Sequence, residues 1–298
     1  MYEQFYGLTE KPFSILPDPG YLFWSKTHSM AFAMIEYGIM NRAGFTVVTG
    51  EIGCGKTTLV RHLLEELDET TTVGLVSNAS ENRGELLQWV LMSFGQPYDD
   101  GSYVALHSRF TDFLIAEYAA GRRTVLIVDE AQNLAPSTLE ELRMLSNINA
   151  DKHQLLQMIL LGQPELRDLL NRPDLVQFAQ RVSADFHLKP LSESEVEDYI
   201  QHRTKLAGRE APIFNKQACL RVAQATKGIP RLVNIICDTA LVYGFSSGKE
   251  VVDEAIIEDV ISDKAEYGVF TFAGKDDQAP APKLDLSPKT PLKIYSIE

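Results

Sequence analysis

The sequence predicts an α/β fold: a three-layer sandwich around a parallel sheet, then a small all-helical unit and a flexible Pro-containing tail. Three observations predict it. Short apolar runs alternate with helix-period stripes over the first 190 residues, the pattern of strands joined by right-handed crossovers. One run, Thr124–Val128, is apolar without interruption, as a central strand buried on both faces requires. After Pro190 the strand signals nearly vanish and helical stripes take over. The expected units are residues 1–190, 191–266 and 267–298.

The elements follow in order. The first 44 residues are rich in aromatics and prolines and become helix-like from about Ser29. Gly44–Thr49 reads as a short buried strand. Leu59, Val60, Leu63, Leu64 and Leu67 then recur at helical spacing, so a helix opens directly after Lys56. Thr72–Ser77 is a second strand, and helices are expected over Arg83–Phe94 and Val104–Ala119. Thr124–Val128 ends in Asp129-Glu130. Leu139, Leu142, Leu145 and Ile148 make the next stripe, and Leu155–Leu161 is another buried strand. Ser192-Glu193-Ser194-Glu195 reads as a capping box opening a helix with Val196, Tyr199, Ile200 and Leu206. Three more stripes follow: Cys219, Val222 and Ala223; Leu232, Val233, Ile235 and Ile236; Ile256, Ile257, Val260 and Ile261. The last segment holds Pro280, Pro282, Pro288 and Pro291 with few large apolar residues, a tail composition.

Composition narrows the function classes. With 28 basic and 41 acidic residues the net charge is -13, which sets the chain against general nucleic-acid binding and leaves DNA only a local basic patch. The three cysteines, Cys54, Cys219 and Cys237, fit neither a metal spacing nor a disulfide framework. No basic-then-apolar leader opens the sequence and no run approaches the ~18 apolar residues of a membrane helix, so a cytoplasmic protein without a membrane span is expected.

The chemistry concentrates in two segments. Gly50-Glu51-Ile52-Gly53-Cys54-Gly55-Lys56-Thr57 fits G-x-x-x-x-G-K-[ST], follows a strand and opens a helix. The glycines let the backbone wrap and aim N–H groups at phosphate oxygens, and the helix adds its positive end. Lys56 is expected to face solvent and reach the β- and γ-phosphates of ATP; Thr57 supplies a hydroxyl for Mg²⁺, and Thr58 completes the binding set. Asp129, at the end of a buried strand, is the candidate second Mg²⁺ group. Glu130 beside it is the candidate for orienting and activating water.

Four further stretches carry a resemblance. Asp129-Glu130-Ala131-Gln132-Asn133-Leu134, Leu161-Gly162-Gln163-Pro164-Glu165-Leu166, Gly228-Ile229-Pro230-Arg231 and the opening Phe5-Tyr6-Gly7-Leu8 with Pro12-Phe13 and Pro17-Asp18-Pro19 resemble AAA+ ATPases of the general secretion pathway A (ExeA) type. Transposition ATPases of the TniB/TnsC kind share several of them. The resemblance implies a sensor-1 role for Gln163, a sensor-2 role for Arg231 and an arginine-finger role for Arg181, with Arg172 as its rival. It implies an ATP-dependent homo-oligomer, a hexamer by family habit, in which Arg181 serves a neighbouring subunit. Asn78 is a weaker candidate for restraining Glu130. Pro19, Tyr21 and His28 are candidates for the adenine side. Secretion-type members usually continue into a membrane helix and a wall-binding region; the sequence shows neither.

The expected activity is therefore ATP hydrolysis with Mg²⁺, driving remodelling or regulation of a protein assembly, with envelope export as the process the resemblance points to. The protein partner is unidentified, and the tail is one candidate for meeting it. Two alternatives are a DNA-binding adaptor of transposition and a nucleotide-dependent switch with low turnover.

Overall fold

The computed structural model describes residues 1–77, 86–99, 101–150 and 153–268. The chain opens with a single turn, α1 (Glu3–Tyr6), and a long helix, α2 (Lys26–Met40), whose N-cap Ser25 accepts from the His28 N–H. Then come β1 (Phe45–Gly50), α3 (Lys56–Glu66), β2 (Thr71–Ser77), α4 (Leu86–Ser93), α5 (Tyr103–Ala119) and β3 (Arg123–Asp129). They are followed by α6 (Pro136–Leu145), a two-residue hairpin of β4 (Asn149–Ala150) and β5 (His153–Gln154), β6 (Leu156–Gly162), α7 (Pro164–Leu170), α8 (Val176–Ala179) and β7 (Val182–Leu188). Four helices close the described chain: α9 (Glu193–Leu206), α10 (Lys216–Thr226), α11 (Pro230–Ser246) and α12 (Glu254–Tyr267).

The main sheet has five strands in the order β2-β3-β6-β1-β7, and every pairing is parallel. Strand alternation explains its layers. Val125 and Ile127 of β3, Ile159 and Leu161 of β6 and Val48 of β1 pack with Ala31, Ile35 and Leu59 from α2 and α3. Their neighbours Leu126, Val128, Met158, Leu160 and Val47 pack on the other face with Leu87, Phe110, Leu139 and Leu166 from α4, α5, α6 and α7. The uninterrupted apolar runs are thus strands with a helical layer on each side.

Four expected strands appear within a residue of their sequence bounds. A fifth, β7, is an addition. It pairs only with β1, at the sheet edge, and Ser183 and Asp185 stay exposed. Unlike the other edge strand, β2, it interleaves Ser183, Asp185 and His187 with its apolar residues, so it carries no continuous apolar run.

The helices α9 to α12 share a separate apolar cluster, including Val196, Val222, Ile236 and Ile257. The predicted capping box forms: Glu195 N–H donates to Ser192 Oγ at 3.4 Å and Ser192 N–H to Glu195 Oε2 at 2.9 Å. The N-terminal segment joins this cluster through Tyr2, Tyr6, Leu8 and Phe13. Tyr6 Oη donates to Lys249 O at 3.1 Å, and Thr9 N–H to Ala207 O at 2.8 Å. The chain therefore starts on the helical unit, then crosses to the sheet through residues 14–25. That crossing forms one wall of the site. Of the expected helix Arg83–Phe94, the part before Leu86 lies outside the described residues, as does the tail beyond residue 268.

Candidate functional site

Parallel strands end on the same edge of a sheet, and that edge is where α/β folds bind ligands. Here β3, β6 and β1 are adjacent, so Asp129-Glu130, Gln163 and the loop after Gly50 meet there. The loop needs its glycines. Gly53 and Gly55 have φ of 82° and 97°, in the left-handed region. A Cβ on Gly53 would lie 2.6 Å from Arg231 Cβ, and one on Gly55 would lie 2.9 Å from His28 Nε2.

Lys56 departs from the expectation that it faces solvent. Only 6% of it is exposed, and Nζ donates to Gly50 O at 2.6 Å and Glu51 O at 3.1 Å. The cation folds back over the loop because those carbonyls are its nearest acceptors. Burial lowers its pKa, against the pull of Glu130, Asp129 and Glu51. Thr57 Oγ1 donates to Asp129 Oδ2 at 3.2 Å, joining the start of α3 to the end of β3. These are two hard oxygen donors side by side, a set that suits Mg²⁺ completed by water and phosphate.

Glu130 has φ of 54°, uncommon outside glycine. Burial raises the pKa of its carboxyl, but hydrogen bonds from Gln132 and Gln163 and the charge of Lys56 outweigh it and hold the group below its usual range. Gln132 Nε2 donates to Glu130 Oε2 at 2.6 Å, and Gln163 Nε2 to the same oxygen at 3.1 Å. Gln132 lay within the quoted motif, but the sequence gives it no role. Its contacts cross to a residue on another strand end, which a linear spacing does not reveal.

A cleft of about 970 Å³, open to solvent, runs from this point. Ile52, Gly53, Gly55, Lys56, Thr57, Thr58, Glu130 and Arg231 line one half. Ser14–Asp18, Tyr21, Tyr199, Arg203 and Asn234 line the other. Arg231 stands in the first turn of α11, with its N–H on Gly53 O at 3.2 Å. Tyr21 and His28 also line the cleft; Pro19 is not among its lining residues. Cys54 is buried within the loop, and burial pushes its thiol up to about 11. Asn78 lies outside the described residues.

The two candidate finger arginines differ. Arg172 makes a bidentate pair with Asp174, Nε–Oδ1 3.0 Å and Nη2–Oδ2 2.9 Å, on the exposed surface. Among the described residues the Arg181 side chain makes one hydrogen bond, Nη1 to Ser146 Oγ at 3.4 Å. It immediately precedes β7, whose Val182 pairs with Phe45 and whose Leu188 pairs with Gly50. Six strand steps of ~3.3 Å separate those pairs, so Arg181 is roughly 20 Å from its own phosphate loop, at the opposite sheet edge.

Among the described residues no helix is long and apolar enough to cross a membrane. Residues 39–170 match the AAA domain family. Over 253 residues the chain is 44% identical to general secretion pathway protein A of Aeromonas hydrophila, covering 85% of this chain and 46% of the relative. The chain thus spans less than half that relative's length. Cdc6p of Pyrobaculum aerophilum superposes with a TM-score of 0.66 at 17% identity, over 83% of this chain and 71% of its own. Drosophila ORC bound to DNA superposes with a TM-score of 0.65 at 18% identity, over 89% of this chain and 67% of that one. At those identities the likeness is one of fold. A sheet of this order, the match of residues 39–170 to the AAA domain family and 44% identity to that relative agree: the chain has the AAA+ P-loop fold and is related over 85% of its length to general secretion pathway protein A.

Proposed function

We propose that the chain binds ATP with Mg²⁺ in this cleft and hydrolyses it, and that the cycle drives remodelling or regulation of a protein assembly in envelope export. The observation that carries the reading is the approach of Thr57 Oγ1 to Asp129 Oδ2 at 3.2 Å, beside Lys56 and Glu130. Mg²⁺ held by Thr57 and Asp129 would neutralise charge on the phosphates. Lys56 exchanges its two loop carbonyls for phosphate oxygens. The loop N–H groups and the start of α3 hold the remaining oxygens. Glu130, kept ionised by its amide partners, takes a proton from the attacking water. Gln163 and Arg231 orient the γ-phosphate from the sheet side and the helical side.

The division into an ATPase core at 1–190, a helical lid at 191–266 and a tail at 267–298 is part of this reading, because the lid brings Arg231 to the loop. So is assembly. Arg181 is too far from its own loop to serve it, so its use in catalysis requires a neighbouring copy. The export process rests on the similarity to general secretion pathway protein A; the net charge of -13 stands against duplex DNA as the partner.

Nucleotide titration of the full chain and of Lys56→Ala tests the binding half. The variant is expected to stay folded and lose ATP affinity by 10-fold or more, roughly the worth of one charge-assisted contact to phosphate. Unchanged affinity in folded Lys56→Ala overturns the assignment of the loop.

A further inference from the structure

Gln132, which the sequence leaves without a role, hydrogen-bonds both Glu130 and Gln163, the polar residues just past the ends of β3 and β6. Its Nε2 donates to Glu130 Oε2 at 2.6 Å, and its Oε1 accepts the main-chain N–H of Gln163 at 3.0 Å. Gln163 closes the ring by donating Nε2 to the same Glu130 oxygen at 3.1 Å. Among the described residues, no hydrogen bond reaches Glu130 Oε1. The carboxylate lines the cleft and sits on a residue with φ of 54°. Strain of that kind persists where the surroundings over-determine it, and it gathers at functional positions.

We propose that Gln132 is a positioning residue: it ties Glu130 and Gln163 into one rigid unit through Glu130 Oε2, leaving Oε1 as the atom that accepts the proton of the attacking water. The inference rests on the reading of Glu130 as the water-activating carboxylate. In the step it serves, a water O–H bond breaks and the proton goes to Oε1. The water oxygen keeps the electron pair and forms the new bond to the γ-phosphorus. The bond from that phosphorus to the ADP oxygen breaks, with its electrons leaving on ADP. Two amide donors on Oε2 fix the carboxylate plane, so the free lone pairs of Oε1 keep one direction. A neutral amide does this without charge. A carboxylate at position 132 would repel Glu130, and Asn would be one methylene too short to span both partners. Gln163 keeps its second amide N–H for a phosphate oxygen, so phosphate and base are referenced to the same ring.

The test compares Gln132→Ala, Gln132→Met, Glu130→Gln and the double variant Gln132→Ala/Glu130→Gln in the full chain, reading ATP affinity and kcat separately. Gln132→Met keeps the length of the side chain and guards against loss of the fold. Both Gln132 variants are expected to bind ATP as the parent does and to lose kcat by roughly 10- to 100-fold, the worth of one hydrogen bond to a charged group. Because Gln132 acts through Glu130, the double variant should be no slower than Glu130→Gln alone. Parent kcat in folded Gln132→Met, with Glu130→Gln inactive, overturns the role of Gln132 and leaves the site reading standing. Parent turnover in Glu130→Gln overturns both. A double variant slower than Glu130→Gln by the full factor of Gln132→Ala shows independent action and also overturns the proposal.

Discussion

His28 is buried between Ser25 and the phosphate loop. Cys54 O can only accept, so His28 Nε2–H donates to it at 3.0 Å, and Nδ1 then accepts the Ser25 hydroxyl at 2.7 Å. The bond to Cys54 O is open to either form of the ring, whereas acceptance of the Ser25 hydroxyl at Nδ1 needs the neutral ring. Burial lowers its pKa, and the hydrogen bond to Cys54 and the charge of Glu195 oppose burial without cancelling it. The unfolded chain, with a histidine pKa of about 6.5, therefore binds a proton more readily than the folded chain. Stability contributed by neutral His28 is present above pH 6.5 and is lost as pH falls from there towards the folded pKa. We expect His28→Gln to lose part of the parent's stability decline as pH falls below about 6.5, as read by urea midpoints across the acid range. An unaltered slope would show that His28 does not set it; His202, also lowered by burial, is the remaining candidate. The loop beside His28 was legible in the sequence because its glycines, Lys56 and Thr57 fall in eight consecutive residues. Its clamp was not, since Ser25, His28 and Cys54 meet only when α2 folds across the loop.

The most legible strands were those that bury both faces; the edge strand β2, half-buried, was still marked by Val73, Leu75 and Val76. β1 and β6 are buried along their whole length, and their composition shows it. β7 buries one side, and its alternation of Ser183, Asp185 and His187 with Ala184, Phe186 and Leu188 is too weak to separate from a loop. The link between the N-terminal segment and the helical unit was equally hidden. Arg203 of α9 is 6% exposed and has no carboxylate within ion-pair reach among the described residues. Its guanidinium donates to Pro12 O, to Tyr199 Oη at 3.1 Å and to Ser14 O at 3.4 Å, and lies 4.6 Å from the centre of the Tyr21 ring. Asn234 Nδ2 on α11 donates to Ser14 O as well, at 3.1 Å. Two helices thus hold the strand of chain that walls the far half of the cleft. Arg203→Met keeps the stem but removes the donors. It should cost about 2 to 4 kcal/mol in denaturant unfolding. ATP affinity should also weaken, because Ser14–Asp18 loses its anchor. An unchanged midpoint would show that the segment is held by its apolar contacts alone.

At the scale of the whole molecule, the parallel register separates Arg181 from its own phosphate loop by the length of the sheet. If the proposed assembly forms, the site is complete only at a boundary between copies, and specific activity should rise with protein concentration. Arg181→Ala should keep ATP binding and lose turnover by as much as ~10³-fold. Mixing it with Lys56→Ala should restore part of the activity, because the Lys56→Ala subunit still carries Arg181 and can lend it to a neighbour with an intact loop. No recovery, with activity per molecule independent of concentration, would contradict assembly at this boundary. Turnover at any such boundary needs Glu130 to activate water beside the Gly50–Thr57 loop. The measurement that tests it most directly is the Mg²⁺-dependent release of inorganic phosphate from ATP by the full chain and by Glu130→Gln, with ATP binding read on the same samples. Glu130→Gln is expected to bind ATP like the parent and to release phosphate roughly 10²- to 10⁴-fold more slowly. Phosphate release at the parent rate would contradict it.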